Sequence, residues 1–272
     1  MTGGRFAGRG VLVTGSTGMG GAAARALAAE GANVLVVARD QGRLDELAAA
    51  APAHGGALST FSADLGDEAA VEAAFAAFDA RFGRLDACFG VAGISGRRFG
   101  DGPLHEASLE GWETVLRANA TSQFLVARAA VRRMLAQERD AAWGRGALLL
   151  MSSQLARHPA SEHFGTHAYA ASKGAIESLV RAAAAAYAPQ GIRVNAIAPS
   201  LVATPMSRRA QSDDAVTRYL AQKQPLAGGP IAVDDVTPVA LHLLSPEARM
   251  VTGQVIAVDG GWGVSEPRTD GG

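Results

Sequence analysis

Short runs of valine, leucine and isoleucine alternate with longer, alanine-rich stretches along most of the chain. The short runs are apolar at successive positions, which is typical of strands buried on both faces, as parallel strands are. They predict seven strands, at residues 10–14, 33–38, 58–63, 86–91, 146–152, 192–198 and 254–258. The stretches between them predict helices, at residues 18–30, 41–51, 67–82, 108–141, 168–189 and 234–244. This alternation predicts an α/β fold in which helices cover both faces of a doubly wound parallel sheet of about seven strands.

Two segments that follow predicted strands break this alternation, namely residues 154–168 and 200–230, and residues 94–106 form a third expected substrate loop. Long loops in compact domains are usually functional, and open α/β sheets bind ligands at the carboxyl ends of their strands. We therefore expect these segments to border a substrate, with 154–168 as a pocket wall and 200–230 as a mobile lid. We expect residues 1–272 to form a single domain with a disordered tail at 265–272.

The composition limits the classes of function. The formal net charge of -1 gives no reason to expect a nucleic acid or an anionic membrane as partner. Cys88 is the only cysteine, which excludes an intrachain disulfide and indicates a reducing compartment, so we expect a cytoplasmic protein. The first ten residues lack the apolar core of a secretory signal, and the longest alanine run, at 182–188, is too short to span a bilayer.

A glycine-rich turn, TGSTGMGG, follows the first predicted strand and precedes a predicted helix. Glycines in this position permit positive φ and let backbone N–H groups approach a pyrophosphate at the helix N-terminus. The spacing matches G-x-G-x-x-A, G-x-x-G-x-x-G, and a dinucleotide turn shortened by one residue that uses Gly15, Gly18 and Gly20. Counting back from the second strand favours the shortened turn. In that interpretation Gly21 is incidental, and Ser16 or Thr17 faces the adenosine phosphates.

The end of the second strand indicates which dinucleotide binds. An acidic residue there would bind the adenosine ribose and repel a 2′-phosphate, but this chain has Ala38 followed by Arg39. Alanine leaves room and arginine offers a bidentate donor to phosphate, so we predict NADP(H), with NAD(H) less favoured. An exposed Arg39 with no ligand is the alternative. Asp64, after the third strand, is expected to accept from the adenine amino group or to cap the next helix.

The strongest chemical signal is the pair Tyr169 and Lys173 in the sequence YAASK. Residues four apart share one face of a helix, so the phenol and the ammonium are expected to lie side by side. A free phenol has a pKa of about 10, and an adjacent cation lowers it toward the range useful for acid–base catalysis. The chain has 23 arginines but only two lysines, and one of the two stands here.

With these motifs the chain resembles the short-chain dehydrogenase/reductase family, in its single-domain branch with a Rossmann-like fold, over about residues 8–263. The resemblance rests on the glycine turn and on the motifs ADL, RANATSQF, LLLMSSQ, YAASK, IRVNAIAPSLVATPM and VTGQVIAVDGGW. It implies hydride transfer between the nicotinamide C4 of the cofactor and a ketone or secondary alcohol. We expect NADPH-dependent carbonyl reduction of a small-molecule substrate.

The resemblance also implies a role for each site residue. Tyr169 is the expected general acid/base, Ser153 is expected to hydrogen-bond the same substrate oxygen, and Lys173 is expected to hold the nicotinamide ribose and lower the pKa of Tyr169. Asn119 is expected to anchor a water in a proton relay through Lys173. We expect no metal. The expected cofactor contacts are Gly15, Ser16, Thr17, Gly18, Met19, Gly20, Ala38, Arg39, Asp64, Leu65, Ala92, Gly93, Tyr169, Lys173, Pro199, Val202 and Thr204, the last two at the carboxamide.

Four features depart from the family pattern. The glycine turn is one residue short, Gly90 and Val91 replace two asparagines that brace the central sheet, Ser200 replaces a glycine after Pro199, and the segment between Ser153 and Tyr169 is long. These departures motivate an alternative function, a non-catalytic NADP(H)-binding regulatory protein on the same fold. A second alternative, a sugar-nucleotide epimerase or dehydratase, requires a larger C-terminal substrate domain, for which we expect no room after VDGGW.

Several side chains are candidates for the substrate pocket. His158, His163 and His167 are expected to be polar pocket residues rather than metal ligands. Arg97 and Arg98 either favour an anionic substrate or lie in a solvated loop. An apolar wall is expected from Phe99, Leu155, Phe164, Met206 and Tyr219. In the family, the positions of the 108–141 and 168–189 helices form subunit interfaces, so a homotetramer or homodimer is expected.

Overall fold

A computed structural model describes residues 4–266 of the chain. Its strands are β1 (Gly10–Thr14), β2 (Asn33–Ala38), β3 (Leu58–Ser62), β4 (Ala87–Gly90), β5 (Gly146–Met151), β6 (Ile192–Pro199) and β7 (Val255–Val258). All adjacent strands are parallel, and they form a seven-stranded sheet in the order β3-β2-β1-β4-β5-β6-β7. The predicted doubly wound α/β fold is therefore confirmed.

The α-helices are α1 (Gly18–Ala29), α2 (Gln41–Ala49), α3 (Glu68–Phe82), α4 (Leu109–Leu116), α5 (Ser122–Ala136), α6 (Ser161–Phe164), α7 (His167–Tyr187), α8 (Arg208–Gln211), α9 (Asp214–Lys223) and α10 (Val233–Leu244). Helices α1, α2 and α10 bury one face of the sheet, and α3, α5 and α7 bury the other. In β1, Val11 and Val13 belong to the first core and Leu12 to the second. This burial on both faces explains the continuous apolar runs of the strands.

The predicted helix at 108–141 is wrong in its interior and at its end. It consists of α4 and α5 joined by a π-helical turn at Arg117–Thr121. Helix α5 ends at Ala136 because the next residue, Gln137, is extended and its side-chain amide bonds to both backbone groups of Leu85, at 2.8 and 3.2 Å. The helix end is thus set by a long-range contact that periodicity does not contain.

The strand order reverses at β1, whose neighbours are β2 and β4. The loops that leave β1 and β4 therefore diverge and open a crevice at the carboxyl edge of the sheet. The buried Thr14 hydroxyl closes the base of this crevice, since it accepts hydrogen bonds from the N–H groups of Val91 and Ala92 at 2.9 and 3.0 Å. The fold thus presents a ligand site between β1 and β4.

The segment 200–230 is more regular than its weak periodicity predicts. Asp213 caps α9 by accepting from two backbone N–H groups, and Val216 and Leu220 pack against the buried Trp262. A tertiary contact from the end of the chain therefore stabilises this helix. The predicted tail at 265–272 lies outside the described residues apart from its first two. Among residues 4–266, no helix is both long and apolar enough to cross a membrane.

Helix α7 is capped by a residue from a distant loop. Its own N-cap residue, Thr166, makes no side-chain capping bond. Instead, the carboxylate of Asp101 accepts from the N–H groups of Ala168 and Tyr169, both at 2.9 Å, and Asp101 is only 5% exposed. The loop after β4 is thus fixed to the first turn of the helix that carries Tyr169.

We predict that Asp101→Ala lowers the free energy of unfolding by about 1–3 kcal/mol, because one buried and one partly buried N–H group lose their acceptor. Urea denaturation measures this change. Asp67→Ala, which removes an exposed cap from α3, is the comparison and is expected to cost about 1 kcal/mol. An Asp101→Ala variant no less stable than Asp67→Ala would contradict the prediction.

Candidate active site

Four glycines in the turn after β1 each meet a steric requirement. Gly15 and Gly18 have φ of 91° and 53°, in the left-handed region that disfavours side chains. A Cβ at Gly20 would lie 2.3 Å from the Gly15 carbonyl oxygen, and one at Gly21 would lie 2.5 Å from the Ser16 carbonyl oxygen. The shortened-turn spacing therefore fits, but the interpretation of Gly21 as incidental is wrong. The carbonyl groups of Gly15 and Ser16 lie against the start of helix α1, which begins at Gly18.

A cavity of about 430 Å³ opens from this turn toward the ends of β2 and β3. The N-terminus of α1 lies at the turn, where its N–H groups and partial positive charge favour a phosphate. The cavity is lined by Gly15, Ser16, Thr17, Ala38, Arg39, Asp40, Arg43, Asp64, Leu65, Gly66, Ala92, Gly93, Ile94, Ala118, Ser122, Pro205 and Arg208. A cavity that joins a glycine cradle to arginine and aspartate side chains suits a dinucleotide.

Of the two alternative roles expected for Asp64, an adenine contact and a helix cap, the second belongs to Asp67. Asp67 is the N-cap of α3 and accepts from the Ala70 N–H. Asp64 accepts from the Gly66 N–H at 2.9 Å and pairs with Arg117 at 3.1 Å, and it lines the cavity. Asp64 therefore lines the cavity, and its contact with adenine stays a prediction.

A second, smaller cavity of about 60 Å³ lies deeper, at the carboxyl ends of β4, β5 and β6. It brings together the predicted reacting residues Ser153, Tyr169 and Lys173. Gly93 and Ile94 line both cavities, so the two cavities adjoin. The remaining lining residues are Met19, Val91, Met151, Ser152, Pro199, Ser200 and Met206.

Four predicted cofactor contacts line neither cavity, namely Gly18, Gly20, Val202 and Thr204. Val202 is buried in the core at 4% exposure. Thr204 packs against Gly18, where its Cγ2 would lie 3.0 Å from an added Cβ, and it begins a short turn closed by Ser207. The segment that carries both residues thus contacts the glycine turn directly.

Lys173 is buried, and its Nζ donates to the Met151 carbonyl at 2.9 Å and lies 5.6 Å from the centre of the Tyr169 ring. Burial lowers the pKa of Lys173 to about 7. Burial also raises the pKa of Tyr169, and the Ser153 side chain acts in the opposite direction. The net shift for Tyr169 is thus upward and comes from its burial, and the lowering of its pKa by Lys173 stays a prediction.

Asn119 lies in the π-helical turn, a distortion that is frequent at functional sites, and it is fully buried. Its amide exchanges hydrogen bonds with both backbone groups of Ile94, at 2.8 and 3.1 Å, and donates to Ser172 at 3.0 Å. Its Oδ1 would lie 2.9 Å from a Cβ at Gly93. Asn119 thus connects the loop after β4 to the helix that carries Tyr169 and Lys173.

Gln123 supports the site in a way that the motifs did not reveal. Its buried amide accepts from the Met151 N–H at 3.0 Å and donates to the Met151 carbonyl at 3.1 Å. The same carbonyl accepts from Lys173. Gly90 leaves the room, since a Cβ there would lie 2.9 Å from the Leu150 Cδ2 and 3.5 Å from the Gln123 Oε1. Gln123 therefore braces the sheet near the place where the family's asparagines are missing.

The predicted apolar wall is partly assembled. Leu155, Phe164 and Tyr219 pack around Trp262, and Met206 lines the smaller cavity, whereas Phe99 is 45% exposed. The His163 ring stacks on Tyr219 at 4.4 Å between centroids. Within residues 4–266, no group of three or more histidine, cysteine, aspartate or glutamate residues is arranged to hold a metal ion.

Comparisons with known proteins agree with this geometry. Residues 13–263 match the profile of a family described as enoyl-(acyl carrier protein) reductase. The chain is 34% identical over 260 residues to D-threitol dehydrogenase of Mycolicibacterium smegmatis, covering 95% of this chain and 94% of the relative. It is 38% identical over 243 residues to inactive 2-(S)-hydroxypropyl-CoM dehydrogenase 2 of Xanthobacter autotrophicus, covering 88% and 98%.

A solved structure shows the same fold. A short-chain type dehydrogenase/reductase from Mycobacterium ulcerans superimposes with a TM-score of 0.86 at 31% identity, over 96% of this chain and 91% of the other. The fold, the glycine cradle, the clustered serine, tyrosine and lysine and these matches lead to one conclusion. The chain belongs to the short-chain dehydrogenase/reductase family of oxidoreductases.

Proposed function

We propose that this protein transfers hydride between NADP(H) and a small ketone or secondary alcohol, acting chiefly as an NADPH-dependent carbonyl reductase. The observation that carries the proposal is the convergence of Ser153, Tyr169 and Lys173 on one small cavity that adjoins the larger cavity beside the glycine turn. A substrate oxygen in the small cavity would meet two hydroxyl groups. A cofactor in the large cavity would extend its reactive end to the same place.

The residues present fit a nicotinamide dinucleotide. The absence of a Cβ at Gly15, Gly18 and Gly20 lets the turn curl over the N-terminus of α1, which is the backbone arrangement that binds a pyrophosphate. When bound, the cofactor supplies or accepts the hydride. The chain's own residues then have to orient the substrate and move a proton.

Tyr169 is suited to donate that proton. Because burial raises its pKa, the phenol stays protonated at neutral pH, as carbonyl reduction requires. Ser153 lowers the pKa of the phenol and provides a second hydrogen bond for the substrate oxygen. Lys173 is held by the Met151 carbonyl. In its protonated form it is positioned to stabilise the phenolate that remains after Tyr169 has donated its proton. Asn119 holds the loop after β4 against helix α7 through its hydrogen bonds to Ile94 and Ser172.

Arg39 and Arg43 outnumber the Asp40 carboxylate at the edge of the large cavity beyond β2, which supports the choice of NADP(H). Ala38, Arg39 and Arg43 line the cavity at and beyond the end of β2. Arg43 is already paired with Glu46 at 2.7 Å, whereas Arg39 forms no ion pair with any residue between 4 and 266. Arg39 is therefore the better donor for a 2′-phosphate.

One relative named above is described as inactive, so membership of the family does not by itself establish activity. A non-catalytic NADP(H)-binding protein on this fold is thus the second candidate. The complete set of Asn119, Ser153, Tyr169 and Lys173 favours the enzyme, because a sensor needs no proton donor beside its ligand. NADPH binding without turnover of any ketone in a broad panel would favour the sensor.

We predict that Tyr169→Phe lowers turnover in NADPH-dependent ketone reduction by about 10²–10⁴-fold, because the proton donor is lost while the ring is kept. Steady-state assays measure turnover, and NADPH fluorescence titration serves as the control, with an expected change in Kd of less than about threefold. Turnover close to that of the wild type would refute the assigned mechanism.

Lys173 is predicted to make stability depend on pH. Its pKa of about 7 in the folded chain lies below the ordinary 10.5, so the unfolded chain binds an extra proton between these values. The free energy of unfolding therefore rises with pH in this window, and this group contributes about 1.4 kcal/mol per pH unit. Below pH 7 the lysine is charged in both states, so the full cost of burying its charge applies.

Lys173→Met removes this titration. The free energy of unfolding of the variant minus that of the wild type should therefore fall steadily from pH 7 to 9.5, because only the wild type gains stability through this group. Urea denaturation without cofactor measures the difference at each pH, and Lys173→Arg, which stays charged throughout, is the matched comparison. A difference between wild type and Lys173→Met that is independent of pH would show that the lysine is not desolvated.

Arg39→Asp is predicted to raise the KM for NADPH by about tenfold or more and to change the KM for NADH much less, because the donor for the 2′-phosphate becomes a repelling charge. Arg43→Gln is the comparison, with a smaller expected effect since Glu46 already holds that guanidinium. Equal changes for both cofactors would rule out recognition of the 2′-phosphate by Arg39.

A further inference from the structure

Arg208 brings a positive charge to the large cavity from a part of the chain that is distant from the nucleotide motifs. It begins helix α8, in the segment beyond β6. Pro205, three residues earlier at the start of a 3₁₀ turn that leads into α8, lines the same cavity. Within residues 4–266, the Arg208 guanidinium forms no ion pair with a carboxylate, so its donors can serve a ligand in the cavity.

A contact with the glycine turn sets the position of this part of the chain. Thr204 precedes the 3₁₀ turn Pro205–Ser207, and its Cγ2 would lie 3.0 Å from a Cβ added at Gly18. Gly18 is the first residue of α1, and a side chain there would push the two segments apart. The turn that leads into Arg208 therefore packs against the N-terminus of α1.

Internal contacts hold helix α8 in this place. The Gln211 side chain donates to the Thr204 carbonyl at 3.0 Å and to the Ser207 hydroxyl at 2.8 Å. Ala210 is buried in a cluster with residues of α9 and with Trp262, whereas Arg208 is exposed. Residues two apart point to opposite sides of a helix, so burial of Ala210 directs Arg208 away from this cluster.

The N-terminus of α1 supplies donors of a second kind to the same cavity. Ser16 and Thr17 line the cavity, and Thr17 is the N-cap residue of α1. The Thr17 side chain makes no capping hydrogen bond, so it leaves the first N–H groups of the helix to other acceptors. A helix N-terminus and a guanidinium that border one cavity from two segments of the chain suit a phosphate between them.

We propose that Arg208 binds the diphosphate bridge of the dinucleotide from the side of the cavity formed by the segment after β6. The proposal rests on the proposed function for the presence of a dinucleotide, and it assigns that ligand a residue outside the glycine turn. Arg39, at the end of β2, is assigned to the 2′-phosphate, so the two arginines recognise different phosphates. Arg208 should therefore contribute equally to the binding of NADPH and NADH, which share the diphosphate.

This contact also connects the two cavities. Met206 stands two residues before Arg208 and lines the smaller cavity, which contains Ser153 and Tyr169. The same short segment thus contacts the cofactor cavity through Arg208 and the substrate cavity through Met206. A diphosphate that binds Arg208 would hold the Met206 side chain at the substrate cavity.

The test measures the Kd of NADPH and NADH by fluorescence titration, and that of 2′-AMP by displacement of NADPH. Arg208→Gln should raise the Kd of both dinucleotides by the same factor, about tenfold or more, because a charge-assisted contact with a shared group is lost. The Kd of 2′-AMP, which lacks the diphosphate, should change by less than about twofold. Arg208→Lys keeps the charge without the bidentate fork and should recover part of the loss.

Arg209→Gln is the matched control, because it removes the next charge of the same helix from a residue that lines neither cavity. It should leave all three Kd values within about twofold of the wild type. Arg39→Asp should show the complementary pattern, with a higher Kd for NADPH and 2′-AMP and little change for NADH. Urea denaturation without ligand should give Arg208→Gln the stability of the wild type, since Arg208 is exposed.

Amide hydrogen exchange provides a readout that does not depend on affinity. At saturating NADPH, residues 204–212 of the wild type should exchange more slowly than in the free protein, because the bound diphosphate holds this segment. In saturated Arg208→Gln this protection should be lost, while residues 15–21 of the glycine turn remain protected. Equal protection of residues 204–212 in both proteins would contradict the contact.

Unchanged Kd values in Arg208→Gln would overturn the proposal. An increase confined to NADPH and 2′-AMP would also overturn it, because Arg208 would then bind the 2′-phosphate. Equal losses for both dinucleotides in a protein that reduces no ketone would support the diphosphate contact and reject the proposed catalysis. Turnover of ketones with dinucleotide Kd values that do not depend on Arg208 would reject the contact alone, and a wild type that binds neither dinucleotide would reject both.

Discussion

The active site depends on one buried hydrogen bond, in which the Lys173 ammonium donates to the Met151 carbonyl at the end of β5. A lysine that is 2% exposed is costly unless its donors find acceptors, and a strand end offers a carbonyl that the sheet no longer uses. Gln123 fixes that carbonyl from α5, and Ser152, adjacent to Met151, contacts Glu177 one turn further along α7 at 3.0 Å. The orientation of α7, and with it that of Tyr169, therefore follows from how the end of β5 is held.

Most of the fold could be predicted from the sequence because the signal is local. Strands buried on both faces must be apolar throughout, and the helices between them must be long enough to cross back over the sheet. The errors occur where a distant residue decides. Gln137 ends α5 by binding Leu85, and Trp262 gives α9 a surface to pack against, although neither partner is near in the chain. Periodicity within one window cannot contain such contacts.

The same distinction holds for the site. Tyr169, Lys173 and the glycine turn could be found because their chemistry depends on residues a few positions apart. The direction in which the pKa of Tyr169 shifts could not, since the burial that raises it is a property of the assembled protein. Asp101 and Gln123 were missed for a related reason, because an aspartate in a loop and a glutamine in a helix are ordinary until their partners are known.

The contact between Gly90 and Gln123 has a consequence for how such a sheet can change over generations. An asparagine at position 90 would require the Leu150 Cδ2 methyl group, 2.9 Å from an added Cβ, to move, and its side chain would lie beside the Gln123 amide. Removing Gln123 first would leave the Met151 carbonyl with fewer donors while it still holds Lys173. Because the two positions are in contact, the effect of a substitution at one of them is expected to depend on the residue at the other. Sequences of this family that carry glycine at this position should for that reason be grouped by the residue that faces it from α5, rather than treated as having lost a brace.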